Sequence, residues 1–502
     1  MSFRPTLEKL WWPIVLSSAV LVYILAMVFS AQQSIWFDEG YSILLAKSSW
    51  PELFALTAID AHPPFYYALL KIWGSLFGFS EFALRSLSAV LLSSSLIAGM
   101  ALLRKLFSTK VALYALPFII LAPFLIRYGY EVRMYSLATL IGTSATYALV
   151  VAKEKKKWWR WGVYGALVAL GMYTLYMTLV IWLAHFVWLL VGSLRAKKRL
   201  PIKEWRWLYA YGFSILLFAA YLPTFIYQNL NSALPGVGAQ VTLTKLGDMV
   251  SMLFTFTPEW GVNGWLTLLI VAGVILVAYV GTRVFTRLTT TQKGYYLLLC
   301  TLILVPITFY ALTSLPPKAP IYINRYLAHV AVFVYMLVGV TLALGIVHKD
   351  LWKKTKSRVP YVACAVTLAI VSIGIVQLQA TGNFVFERMQ HPQTREIRQA
   401  VDCNDAVVVA DDPYTYIDSV FYFDDCNMRF YSEQPVEYKG GYAMLHNSPL
   451  RINDSSELTV PNLYRLHWTG NDPAFSIDDR YQLVETITYD KQVVQKYVLI
   501  EE

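Results

Sequence analysis

The chain has 502 residues, of which 57% are hydrophobic, 15% aromatic and 15% charged. Soluble globular chains are nearer 45–50% apolar and about 25% charged, so this composition excludes a disordered chain, a nucleic-acid-binding module and an ordinary cytosolic enzyme. The net charge of +10 is unevenly spread: residues 1–379 hold 32 Lys+Arg against 12 Asp+Glu, and residues 380–502 hold 10 against 20. A basic, membrane-spanning portion (1–379) followed by an acidic soluble tail (380–502) is the expected domain organisation.

A spanning helix needs about 20 mostly apolar residues. Eleven such stretches are legible, at 12–31, 82–103, 111–127, 134–152, 161–176, 177–194, 208–228, 263–282, 294–313, 324–346 and 359–379. The fifth and sixth are separated only by a Tyr-Thr-Leu-Tyr patch at 173–176. Basic residues cluster in alternate loops, at 104–110, 153–160, 195–206, 283–293 and 349–358, together with Arg4 and Lys9. By the positive-inside rule these loops and the N-terminus are cytoplasmic. An odd number of spans then puts the acidic tail outside a cell membrane. The first span is expected to be retained rather than cleaved, being longer than a signal-peptide core and followed by no A-x-A site.

The first outer loop, 32–81, is long and rich in aromatic residues. Tyr41–Lys47 and Phe65–Trp73 read as amphipathic helices at the membrane interface. In the tail, Ala406–Ala410 reads as a buried strand, Tyr414–Phe423 as a helix, Met428–Tyr431 as a second strand and 481–499 as a strand pair. This describes a small α/β domain with neither a Gly-rich phosphate loop nor a nucleophile elbow, suited to a cap or an acceptor-handling role. Cys403 and Cys426 both lie in this outer domain and are expected to form a disulfide. Cys300 and Cys364 lie in spans, as do His185 and His329, and are read as packing residues.

Acidic residues locate the chemistry. None falls mid-span; eight of the twelve in residues 1–379 lie outside, at Asp38, Glu39, Glu52, Asp60, Glu81, Glu131, Asp248 and Glu259. Ion-coupled transporters place ionisable groups near the midplane. The alternative reading, a lipid-linked glycan transporter or flippase without chemistry, therefore has less support than a reaction site on the outer face. Asp38 and Glu39 leave the bilayer side by side, either to act chemically or to cap the following helix.

The order Asp38-Glu39, then Asp60-Ala61-His62-Pro63-Pro64, then Arg85 opening the next span resembles the protein O-mannosyltransferase type of GT-C glycosyltransferase. The chain also resembles, less closely, the aminoarabinose transferases that act on lipid A. Tyr128–Tyr135, containing Glu131 and Arg133, is similar to an E-x-R-x-Y segment of bacterial relatives, and Tyr173–Tyr176 and Asn324–Leu327 are similar to later patches. The resemblance covers roughly residues 10–350.

It implies a GT-C transmembrane fold of about 11 helices. It also implies transfer of a sugar from a polyprenyl-phosphate-sugar donor to a glycan, lipid or protein acceptor, with inversion; nucleic acid is not an expected partner. A phosphodiester leaving as a phosphomonoester needs cations rather than a general acid, and the acceptor hydroxyl needs a carboxylate base. On that logic Asp38 is the candidate base and Glu39 orients the acceptor or a cationic partner. Asp60, His62 and Glu131 belong to the acceptor or donor site, and Arg85, Arg133 and Arg325 hold the donor phosphate. Spacing leaves simpler pairings open: Glu81 lies four residues before Arg85, and Arg127 four before Glu131. Arg325 has the alternative of an interfacial snorkel. His62 with Asp60 either ligates a divalent metal or hydrogen bonds to acceptor. No cofactor is otherwise indicated.

Overall fold

The computed structural model describes residues 4–155, 157–195, 206–231, 238–257, 261, 263–315, 320–353, 358–381, 393–470, 472–489 and 492–500. Glu259 and parts of the basic loops 195–206 and 349–358 lie outside the described residues. The chain forms two compact units. The first comprises Met1–Phe29, Ser86–Pro223 and Pro235–Thr381; the second comprises Ser30–Arg85, Thr224–Leu234 and Gly382–Glu502. The first long loop, assigned by sequence to the membrane portion, thus folds with the tail.

The first unit is helical. Among the described residues nine helices are long and apolar enough to cross a membrane, and a bent pair supplies a tenth. Trp158–Thr174, at 17 residues, rises about 26 Å, a little under a ~30 Å hydrocarbon core. Each of the eleven expected spans falls on one of these elements, and the chain is a multi-pass membrane protein. The fifth and sixth spans are separate: Leu175 is extended (φ −158°, ψ 119°) and a 3-10 turn, Tyr176–Thr178, precedes helix Leu179–Arg195.

The third span departs from the straight helix expected over 111–127. It is broken into Thr109–Ile120 and Pro123–Gly129, with a 66° bend. Pro123 stands at the start of the second piece, where its missing N–H costs nothing, while the ring drives Ala122 into the extended region (φ −81°, ψ 98°). The chain then leaves helical geometry over Tyr130–Met134 before helix Tyr135–Lys155.

In the second unit the first long loop forms three helices, Phe37–Lys47, Trp50–Ile59 and Phe65–Phe77. Ser49 and Glu52 make a capping box at the start of the second, which accounts for Glu52. Lys71 Nζ donates to the carbonyls of Ala46 (3.1 Å) and Ser48 (2.5 Å) at the end of the first, where a cation suits the helix dipole. The helix read over Tyr41–Lys47, which falls within helix 37–47, was expected to lie on the membrane interface. Instead Glu39, Gly40, Tyr41, Ser42, Ile43, Leu45 and Ala46 are all buried, spanning more than one face.

The tail is a six-stranded mixed sheet in the order β3-β2-β1-β4-β6-β5. Its strands are β1 (Ala406–Ala410), β2 (Asn427–Tyr431), β3 (Arg451–Ile452), β4 (Asn462–Trp468), β5 (Tyr481–Tyr489) and β6 (Gln492–Leu499). Strand β1 runs parallel to both β2 and β4 and is buried along its whole length, which suits its continuous apolar run. Strands β5 and β6 form the antiparallel hairpin legible in the sequence. Val407, Val409, Leu463, Phe475, Tyr481 and Tyr497 form its core. Cys403 and Cys426 are joined in a disulfide that links the segment before β1 to the start of β2.

Candidate active site

Asp38 and Glu39 occupy the first turn of helix 37–47, where negative charge is favoured by the exposed backbone N–H groups. Their environments differ. Glu39 is 1% exposed, and both its oxygens accept from Arg85, Nε to Oε1 at 3.0 Å and Nη2 to Oε2 at 2.6 Å. Arg85 Nη1 also donates to the carbonyls of Ser30 (2.8 Å) and Gln33 (2.7 Å) and to Glu81 Oε1, and Nη2 to Ser34 O (3.0 Å). A guanidinium has five N–H donors, and these protein acceptors account for all of them. Arg85 was expected to hold donor phosphate; the structure commits its donors to the protein.

The network continues into the tail. Glu81 accepts from Arg395 Nη2 (2.6 Å) and from the Tyr422 hydroxyl (2.9 Å), and Arg395 donates to Ala31 O and Gln33 O. Burial and the Glu81 charge push the Tyr422 phenol upward, so it remains the donor. Residues 30–39, the start of helix 81–106, and residues 395–422 are thereby tied together.

The tail also shapes the helix that carries Asp38. The carboxylate of Asp418, 1% exposed, accepts the Phe37 N–H and the Gln492 amide (3.1 Å). Burial holds the Asp418 carboxyl well above the usual range, with Asp412 and Glu39 adding to the shift. Gly40 faces the Ile417 carbonyl so closely that a Cβ there would collide with it. The Phe37 ring stacks on Tyr414, centroids 4.6 Å apart and planes within 3°, and tilts against Tyr442 at 5.5 Å. Asp38, only partly buried, faces this aromatic wall. Burial pushes the Tyr442 phenol up to about 12, with the Asp412 and Asp38 charges contributing.

Asp60 ends helix 50–59, and its Oδ2 lies 3.1 Å from His62 Nδ1. That contact fixes the ring orientation and favours the proton on Nδ1, leaving Nε2 as the acceptor nitrogen. Among the described residues, the three-residue cluster of His, Cys, Asp and Glu with metal-like spacing is Cys403, Asp425 and Cys426, and its two sulfurs are the disulfide.

In the first unit, the non-helical segment after Gly129 buries Arg127, Glu131 and Arg133, each no more than 2% exposed. Arg127 Nη2 is 3.8 Å from Glu131 Oε1, and its guanidinium lies near the rings of Tyr128 and Tyr130. The backbone here is held by Ser88 Oγ on Glu131 O (2.6 Å) and Ser136 Oγ on Gly129 O (3.0 Å). The trio brings two guanidiniums and one carboxylate together in this buried segment. Arg325 is partly buried in the 3-10 turn Asn324–Leu327. His185 bonds Thr146 (3.0 Å) and Tyr164 (3.1 Å) in the helix interior, and His329 Nε2 bonds Met177 O at 3.0 Å.

Residues 61–223 match the family described as dolichyl-phosphate-mannose-protein mannosyltransferase. Among solved structures the chain is similar to ArnT from Cupriavidus metallidurans, in the apo state and bound to undecaprenyl phosphate. Each match has 12% sequence identity and a TM-score of 0.55, covering 97% of this chain and 98% of the other. The chain shares the fold of these structures. A search of curated proteins by sequence found no match.

The segment matched by the family contains His62, Arg85, Glu131 and Arg133; Asp38, Glu39, Asp60 and Arg325 lie outside it. Sequence reasoning missed Asp418, Tyr414, Tyr422 and Arg395, which hold the Asp38 helix or its Glu39–Arg85 support from more than 300 positions away. No local pattern marks such residues. Gly40 offered one faint signal, a glycine directly after two acids inside a helical run.

Proposed function

We propose that this GT-C protein moves a sugar from a polyprenyl-phosphate donor to an acceptor hydroxyl on the extracytoplasmic face, with inversion. The observation that carries this reading is the asymmetry of the carboxylate pair. Glu39 is immobilised in a bidentate fork with Arg85, while the adjacent Asp38 is left partly exposed beside an aromatic wall. In this reading one carboxylate fixes the helix and the other serves as base.

In the step envisaged, the Asp38 carboxylate takes the proton of the acceptor hydroxyl. The acceptor oxygen attacks the anomeric carbon as its bond to the phosphate oxygen breaks, and the electron pair leaves with the polyprenyl phosphate. Arg133 and Arg127 are assigned to stabilise that dianion, and Arg325 joins them as a second cation source. Arg85 acts through Glu39 as a positioning residue. Asp60 orients His62, whose Nε2 is assigned to the acceptor.

Two further features support a lipid-linked donor. The fold is similar to that of ArnT, solved with undecaprenyl phosphate. A cavity of about 670 Å³ in the first unit is lined by residues such as Val250, Phe254, Ile270, Val277, Val338 and Ile370, an apolar wall that suits an isoprenoid chain.

The test is incubation of purified protein with a panel of polyprenyl-phosphate sugars and mass spectrometry of the lipid products. Acceptor-dependent release of polyprenyl phosphate from at least one donor is expected; release from none would overturn the reading.

A further inference from the structure

Beside the Phe37–Asp38 corner, the tail holds a cavity of about 440 Å³, within the ~300–1,000 Å³ range of small-molecule sites. Its walls include Asp412, Tyr414, Gln434, Glu437, Lys439 and Tyr442. Two are aromatic. The Tyr414 ring is fixed on one side by Phe37 at 4.6 Å and braced by Trp468 at 6.2 Å. Tyr442 sits on the 3-10 turn Gly440–Leu445, entered through Gly440 at φ +59°, and is 37% exposed. This leaves a large ring at the cavity rather than in the core.

The polar groups are set around these rings. Asp412 is held rigid because its oxygens accept from Thr415 N (2.9 Å) and Thr415 Oγ1 (2.8 Å), yet a carboxylate has about four lone-pair sites and keeps acceptor capacity. Glu437 and Gln434 are exposed. Two carboxylates against one lysine give the cavity a negative excess, which disfavours a phosphorylated or carboxylated ligand. Aromatic faces flanked by carboxylate and amide groups suit a ring whose faces are C–H and whose edge is hydroxyl. A hydrocarbon chain would leave these polar groups unsatisfied.

We propose that this cavity is an acceptor subsite that takes an uncharged hexopyranose ring, so that the acceptor is a glycan. Phe37 supports one wall and Asp38 is the next residue, so a sugar seated on Tyr414 and Tyr442 would present its neighbouring hydroxyl toward the base. The inference rests on the glycosyltransferase reading for its role, but the binding site itself can be tested without turnover.

The experiment uses full-length protein in lipid nanodiscs without donor. Cellobiose, maltose, diacetylchitobiose and a hexose phosphate are titrated and binding is followed by saturation-transfer NMR. Saturable binding of at least one neutral disaccharide is expected, with the hexose phosphate weaker. Tyr442→Ala should weaken that binding by roughly tenfold, and Glu437→Gln, at an exposed position that does not threaten folding, should weaken it severalfold. Absence of neutral-sugar binding, affinity unchanged in both variants, or preference for the hexose phosphate would each overturn the subsite. Tyr442-dependent sugar binding in a protein that releases no polyprenyl phosphate from any donor would instead sink the transferase reading and leave the sugar site standing.

Discussion

Arg85→Met separates the two roles that the sequence leaves open for this residue. In the wild-type chain the guanidinium neutralises Glu39 and Glu81 and satisfies the carbonyls of Ser30, Gln33 and Ser34. Methionine fills much of the volume but leaves a carboxylate at 1% exposure without the guanidinium that forks onto it. Removing one partner of a buried ion pair costs about 3–5 kcal/mol. For a cooperative unit of about 150–250 residues that lowers the unfolding midpoint by roughly 6–20 °C. Arg85→Lys, a point charge without the fork, should fall between the two. Adding Glu39→Leu to Arg85→Met should recover part of the loss, since the uncompensated charge is then gone. Thermal unfolding of the purified protein reads all four proteins, and polyprenyl-phosphate binding is measured in parallel. An Arg85→Met protein with an unchanged midpoint and abolished lipid-phosphate binding would refute the reasoning and restore Arg85 to the phosphate.

Three other outcomes are expected. Gly40→Ala drives a methyl into the Ile417 carbonyl and should cost about 1–3 kcal/mol, with transfer activity falling alongside; a neutral effect on both would mean helix 37–47 is not set by the tail. Asp418 binds its proton more tightly when folded, so its contribution to stability is complete below the unfolded carboxyl value of about 3.9 and is lost as pH rises through the higher native value. Asp418→Asn should therefore flatten the decline in midpoint above pH ~4, whereas parallel pH curves would contradict the assignment. Cys403→Ser/Cys426→Ser opens a link spanning 23 residues and should cost the tail about 3 kcal/mol; alkylation before and after reduction checks the bond by counting two additional thiols.

Long apolar runs made the helical architecture legible because a bilayer imposes one length on every crossing. Pro123 carried the signal for the break in the third span, but a hydropathy run does not register a bend. In the tail, β1 and the β5–β6 hairpin stood out by their apolar run and alternation, while β3, two residues long, offers too little pattern to detect. The four-residue spacing flagged Arg127 and Glu131 as a pair, although the helix ends at Gly129 and Glu131 approaches from the non-helical segment. For Arg85 the motif position and the i,i+4 partner point to different roles, and the acceptors gathered around the guanidinium favour the positioning role. The union of the first loop with the tail could not be seen at all. It depends on contacts such as Gly40 with Ile417 and Glu81 with Tyr422, and single-sequence patterns carry no information at that separation.

The central claim is that Asp38 removes the acceptor proton while Glu39 only holds its helix. Single-turnover transfer from the accepted polyprenyl-phosphate sugar, measured for wild type and Asp38→Asn at matched membrane abundance and matched thermal midpoint, tests it most directly. A rate reduced by about 10²–10⁴ with donor binding retained is the result this account predicts; a variant that transfers at the wild-type rate would contradict it.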